Sequence, residues 1–199
     1  DTPEKLKALR ATGKLPFDQM PLLEIDGRNL SQSSAMIRYL ARRGGFYGDT
    51  DTDALWCDLI AGAVSDFAET GLKAMFQPTD EIAISEQQAT FNKFAPCFEM
   101  RLKENGTGFF VGARLSFADV ILVESLSSYL EWIPNILESS PLLKSLNEMV
   151  LNQPGIKAYL ASGLRYPKPD NTTVIHIARV LQRPLPSHFP EPNRFVLKP

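Results

Sequence analysis

Only one short stretch of the 199-residue chain reads as β-structure, and that limits the fold more than any other feature. Leu22, Leu23 and Ile25 form a short apolar run, Asp26-Gly27 is a strong hairpin signal, and Arg28 to Ser31 is a short return strand. Two strands by themselves make a marginal sheet. Ahead of them, Pro3 to Ala11 predicts a helix, with Thr2 as its cap, Pro3 in its first turn and Gly13 as its stop. Ser33 or Ser34 opens a second helix carrying Ala35, Met36, Ile37, Tyr39 and Leu40. Gly44-Gly45 ends it, and "GGFYGDT" reads as a linker.

After Thr50 the pattern is helix after helix. Asp51 to about Phe76 predicts one long helix closed by Gln77-Pro78, and Thr79 to Glu104 a second closed by Asn105-Gly106. Ser116 to Glu131 is a third, and Ser140-Pro141 opens a fourth that stops near Pro154. A shorter helix covers Gly155 to Ala161, and Asn171 to Leu181 is a last amphipathic segment capped by Asp170. From Arg183 the tail "RPLPSHFPEPNRFVLKP" is too rich in proline to continue a helix. Within "LSFADV", Ser116 and Asp119 have capping-box spacing, and Leu115 and Val120 the spacing of a hydrophobic staple. That motif has a structural meaning rather than a catalytic one.

Composition excludes several classes of function. Twenty-one basic against 23 acidic side chains leave a net charge of −2, which gives no overall attraction to nucleic acid or an anionic membrane. No apolar run approaches the roughly 18 residues that a membrane-spanning helix requires. Cys57 and Cys97 lie in separate helical segments rather than as a close-spaced pair. A reducing, cytoplasmic setting and no metal site are therefore expected. The chain begins at Asp1, without methionine, in a helix-like segment, so further strand partners are expected upstream.

Four segments, "FDQMPLLEIDG", "LSQSSAMIRYLA", "FVGARLSFADVILVE" and "PLLKSLNEMVLNQPGIKAYLASGLRYPKPD", resemble in order and spacing the cytosolic glutathione transferases. The likeness is strongest to the alpha class and extends to about Leu181. It implies an α/β thioredoxin-like N-terminal domain, incomplete over residues 1–47, plus an all-α C-terminal helical domain over residues 48–199. The latter would end in a lid helix and the proline-rich tail. The resemblance further implies a homodimeric enzyme of detoxification. It would join the thiolate of glutathione, its co-substrate, to hydrophobic electrophiles, without metal, nucleic acid or membrane insertion. A non-catalytic binding or structural protein on this fold, and an isomerase of prostaglandins or steroids, are the alternatives.

The resemblance also assigns roles to individual residues, each with a plainer reading beside it. A helix start is an anion site by virtue of its unpaired N–H groups and its partial charge. The γ-glutamyl carboxylate would meet Ser33 there, with Gln32 alongside, whereas sequence alone makes Ser33 an N-cap. Pro21 matches the family's cis-proline, which lets the backbone of Met20 pair with the cysteinyl part of glutathione. Otherwise Pro21 merely starts a strand. Gln19 would lie beside the ligand and Arg10 would meet its glycyl carboxylate. Asp66 and Lys93 match residues that reach the neighbouring subunit's ligand, Lys93 replacing an arginine and so losing a forked geometry. As plain sequence, Arg10, Asp66 and Lys93 are surface charges. Phe17, in a loop after Leu15-Pro16, matches an aromatic key that enters the partner subunit, or it packs in its own domain.

Val174, Ile177, Ala178 and Leu181 share one helical face, widened by Ile175, and would form an apolar lid. Leu72, Met75 and Phe76 would line the opposite wall of the electrophile pocket, and His176 would point away. In the family a tyrosine near the N-terminus donates to the glutathione sulfur. None of Tyr39, Tyr47, Tyr129, Tyr159 or Tyr166 matches it, so no catalytic residue is assigned here. The matching segment is expected upstream of Asp1, and a chain beginning at Asp1 is expected to conjugate little by itself.

Overall fold

The computed structural model describes residues 3–166, 170–180, 185 and 187–189. Its elements run α1 (Pro3–Ala11), β1 (Leu23–Ile25), β2 (Arg28–Leu30), α2 (Ser33–Gly44), α3 (Asp51–Ala74), α4 (Asp80–Asn105), α5 (Phe117–Leu130), α6 (Pro141–Leu151), α7 (Pro154–Ala161) and α8 (Asn171–Val180). The expected α/β start followed by helices is what forms. Contacts divide the chain into two compact units, Asp1–Gly44 with Asp170–Pro199, and Gly45–Pro169. This grouping differs from a division at residue 47, because α8 lies against α1.

In the first unit β1 and β2 pair antiparallel, with Leu23 opposite Leu30, Glu24 opposite Asn29 and Ile25 opposite Arg28. Asp26 and Gly27 take φ values of 50° and 69°, the doubly left-handed geometry that a two-residue hairpin demands. The Asp26 carboxylate then accepts from the Tyr39 hydroxyl at 3.0 Å and from Arg43, both on α2. Lys14 reaches Glu24 of β1 at 2.6 Å. So the hairpin is tied to α2 on one side and to the segment after α1 on the other.

The start of α8 is set by Asp170, which accepts from the N–H of Thr173 at 2.7 Å and its hydroxyl at 2.8 Å. Its buried face differs from the expected stripe. Val174, Ile175 and Ala178 are buried, while Ile177 and His176 are only half-buried. Ile175 is thus a full member of the face rather than its margin, and Ile177 is the margin. Leu181 lies outside the described residues.

The second unit is built on aromatic packing. Phe67 of α3 stacks on Tyr129 of α5 at 4.3 Å and meets Phe98 of α4 edge-on at 5.9 Å; Phe98 in turn meets Phe110 at 5.8 Å. Each such pair contributes about 0.5–1.5 kcal/mol beyond the area it buries. The Tyr129 hydroxyl donates to the Phe67 carbonyl at 2.8 Å, satisfying a polar group that has no access to water. A Cβ on Gly71 would sit 3.1 Å from the Tyr129 ring, so glycine allows α3 and α5 this close approach. Cys57 is buried here, which pushes its thiol up to about 11, while Cys97 is free and exposed.

The helix ends follow their sequence signals. Thr50 and Asp53 form a capping box on α3, and Gly106 closes α4 in the left-handed region at φ 70°. Asp119 accepts from the Ser116 N–H at 2.8 Å and the Ser116 hydroxyl at 2.6 Å. It does more than cap: its other oxygen accepts from the Phe110 N–H at 2.8 Å, tying the loop before α5 to the core. Burial raises the carboxyl's pKa and these donors pull against it, with burial the larger influence.

Two predictions concern these groups. Asp119→Ala leaves buried donors of Phe110 and Ser116 unsatisfied and should destabilise the protein by about 3 kcal/mol in urea unfolding. A loss under about 1 kcal/mol would mean that other contacts hold this loop. Asp53 is half-buried, and hydrogen bonds hold its carboxyl below the usual range, the Asp49 N–H first. Its contribution is present above an unfolded value of about 3.9 and is lost as pH falls through the folded value. The melting-temperature gap between parent and Asp53→Asn should therefore close on acidification below about pH 4. A gap constant with pH would show that the cap acts by geometry rather than charge.

Candidate functional site

The first unit gathers the predicted ligand residues around the start of α2. Gln32 has a φ of 70°, which is strained for a side-chain-bearing residue, and costs about 1–3 kcal/mol when the surroundings impose it. Its carbonyl accepts from Ala35 and Met36 at 2.9 and 3.1 Å, so Gln32 occupies the N-cap position. Ser33 is the first helical residue, not the cap. Among the described residues, neither the N–H nor the hydroxyl of Ser33 has a hydrogen-bond partner, and the residue is exposed. The helix start therefore presents free donors, where the dipole favours an anion.

Gln32 also reaches back to the loop before β1. Its Nε2 donates to Gln19 Oε1 at 2.9 Å. Next to Gln19, Asp18 pairs with Arg10 at the end of α1 at 3.2 Å. Arg10, Gln19 and Gln32 are thus linked through a short relay, and the same loop carries Met20, exposed, and Pro21. The Met20–Pro21 peptide is cis. Among the described residues the backbone N–H and C=O of Met20 make no hydrogen bond, which leaves an extended edge open to a peptide-like ligand.

Asp66 on α3 and Lys93 on α4 belong to the second unit and are exposed. Asp66 has no ion-pair partner among the described residues, and the Lys93 ammonium lies 5.0 Å from the centre of the Phe94 ring. Leu72 and Met75 line a cavity of about 300 Å3 within this unit, together with Ala68, Trp132, Glu124, Glu131 and Arg165. Phe76 is partly exposed and does not line it. The sequence reading missed Glu124, Glu131, Trp132 and Arg165. Glu124 and Glu131 are two helical turns apart on one face, a legible signal, but Arg165 comes from 34 residues beyond Glu131. The hydrogen bond that Arg165 donates to Glu131 raises the pKa of its guanidinium further. A larger cavity, about 640 Å3, lies between α4 and the start of α6, and none of the predicted site residues lines it.

Three of the five tyrosines have hydroxyls committed to other groups. Tyr39, Tyr47 and Tyr129 donate to Asp26, Asp58 and the Phe67 carbonyl. Tyr159 and Tyr166 are exposed, and Tyr166 lines the same cavity as Leu72 and Met75.

Comparison with known proteins agrees with this arrangement. Residues 65–163 match the family model described as glutathione S-transferase, C-terminal domain. Glutathione S-transferase alpha M14 of Sus scrofa is 37% identical over 81% of this chain and 74% of its own. Glutathione S-transferase A2 of Bos taurus is 34% identical over 92% of this chain and 83% of its own. Among solved structures, the glutathione S-transferase of Ascaris lumbricoides superposes with a TM-score of 0.73 at 32% identity, covering 82% of each chain. A monomeric glutathione S-transferase of Necator americanus gives 0.72 at 28% identity, over 79% of this chain and 80% of that one. With relatives this similar over most of both chains, and with the free helix start, open loop edge and helical unit in place, the chain belongs to the glutathione S-transferase family and is most like its alpha class.

Proposed function

We propose that this chain is a subunit of a cytoplasmic glutathione transferase that joins glutathione to hydrophobic electrophiles in detoxification. The observation that carries the reading is the start of α2, where Ser33 offers an unpaired N–H and hydroxyl beside the Gln32–Gln19 pair. In this reading the γ-glutamyl carboxylate takes the Ser33 donors, the cysteinyl backbone runs along Met20, and Arg10 meets the glycyl carboxylate. Arg10 must then exchange or share its exposed partner Asp18, a small cost for a surface pair. The sulfur, as thiolate, attacks the electrophilic carbon; a C–S bond forms and the leaving group departs with its electron pair. A free thiol has a pKa of about 8.5, so the family's hydroxyl donor to sulfur matters for rate at neutral pH.

The electrophile would lie against Leu72 and Met75, with Phe76 at the margin. Val174, Ile177 and Ala178 of α8 are proposed as further apolar contacts for the ligand; Leu181, the fourth residue of that expected face, lies outside the described residues. The two domains of the reading are residues 1–47 and 48–199, and no metal takes part. A second reading, isomerisation of a prostaglandin, is supported by one structural neighbour, prostaglandin synthase D of Nilaparvata lugens, at 25% identity and a TM-score of 0.65. Turnover of an aryl halide against turnover of a prostaglandin endoperoxide separates the two.

The subunit is proposed to pair with a second copy. Phe17 is 66% exposed, a large apolar side chain in a loop, which suits an aromatic key entering a partner. Asp66 and Lys93, both exposed, would serve the partner's ligand. The similar Necator americanus protein is described as monomeric, so sequence likeness does not by itself imply the dimer.

Two experiments follow. Ser33→Ala should weaken glutathione binding by about 1.5–3 kcal/mol in calorimetry, the worth of a charge-assisted hydrogen bond. Unchanged affinity would remove the α2 start from the site. Phe17→Ser should shift the sedimentation equilibrium toward monomer; a variant as dimeric as its parent would end the key reading.

A further inference from the structure

The cavity walled by Leu72 and Met75 holds a charge imbalance among its lining residues. Arg165 sits between two carboxylates: its Nη1 donates to Glu131 Oε1 at 2.6 Å, and its Nε lies 3.7 Å from Glu124 Oε2. The closer pair is sheltered, at 23% and 26% side-chain exposure, while Glu124 at 64% reaches toward solvent. Arg165 is the one cation among the described lining residues. Lys73, next to Leu72 in the chain, is paired with Glu69 at 2.7 Å. One unit of negative charge is therefore left on this wall. Ala68, Leu72, Met75 and Trp132 supply the apolar part of the lining, Ser125, Ser128, Tyr129 and Tyr166 add hydroxyls without formal charge, and the excess charge rests on the solvent-facing Glu124, where salt can reach it.

We propose that this pocket selects its ligands by charge, accepting neutral and cationic hydrophobic groups and disfavouring those that bear a carboxylate or sulfonate. The inference rests on the reading of Leu72 and Met75 as the electrophile wall. Glu124 and Glu131 are the specificity-determining residues. Arg165 is a positioning residue: its Nη1 is committed to Glu131, so an incoming anion finds the guanidinium already neutralised. The same arrangement can be read as a plain tether, joining the segment after α7 to the end of α5. A tether alone would make no distinction between ligands of different charge.

The test is calorimetric titration of the full chain with S-benzylglutathiones that differ only in the para substituent: carboxamide, carboxylate or trimethylammonium. The carboxylate form should bind about fivefold more weakly than the carboxamide, and the trimethylammonium form at least as tightly as the carboxamide. Glu124→Gln, a change at an exposed position that leaves the Arg165–Glu131 pair in place, should reduce the gap to under about twofold, and added salt should narrow it in the parent. Equal affinities in the parent, or a gap unchanged in Glu124→Gln, would overturn the proposal. If all three conjugates bind no more tightly than glutathione itself, the benzyl group has no pocket. The electrophile-wall reading then fails and takes this inference with it.

Discussion

The carboxylate of Asp119 has no exposure to solvent, yet it accepts from the Phe110 N–H and from both donors of Ser116. A buried carboxyl is costly unless its partners are in place, so the three-way arrangement forms together or not at all. Once formed, it sets the start of α5 and brings Phe110 against Phe98. Phe98 meets Phe67, and Phe67 stacks on Tyr129, so the orientation of α3 relative to α5 follows from the same group. The cavity wall of Leu72 and Met75 on α3, facing Glu124 on α5, inherits its geometry from this chain of contacts.

The two candidate sites use opposite electrostatic logic. At the start of α2 the free donors of Ser33 favour an anion, and the exposed Arg10 adds a cation nearby through Asp18 and Gln19. In the helical unit the wall around Leu72 carries an excess carboxylate. In the proposed function glutathione, an anion, binds through its peptide part, while the second substrate binds through apolar surface. On the proposed function, placing acceptors and donors in this way would disfavour a second anionic ligand at the electrophile wall. Specificity of this kind needs repulsion of the wrong ligand as well as attraction of the right one.

Much of the local geometry at the start of α2 was legible. Gln19, Met20, Pro21, Gln32 and Ser33 fall in one loop and one helix start, because each is close in sequence to the turn that presents it. The same locality misled at Ser33: a serine before a helix is ordinarily its N-cap, but the left-handed backbone of Gln32 moves the cap one residue back. That choice of φ is not written in the residue type, since glutamine takes it only when its surroundings impose it. On α8 Val174 and Ala178 are buried as expected, but Ile175 rather than Ile177 completes the face. Apolar periodicity identifies an amphipathic helix, but which neighbouring apolar residue points inward depends on what lies against it, here α1.

What the sequence determined by itself is local. The Asp26-Gly27 turn, the Thr50–Asp53 and Ser116–Asp119 caps, the Asp170 cap of α8 and the stop at Gly106 each involve residues within four positions of one another. Their energies come from backbone geometry and short-range hydrogen bonds, which a residue pattern encodes directly. Only the tertiary structure decided that Arg165 meets Glu131 across 34 residues, or that the Tyr129 hydroxyl finds the Phe67 carbonyl across 62. Such contacts form when helices pack, and each charged or polar group then takes whichever partner the packing leaves within reach. The charge of the cavity wall around Leu72 and Met75 is therefore a product of packing, and no single stretch of the chain contains it.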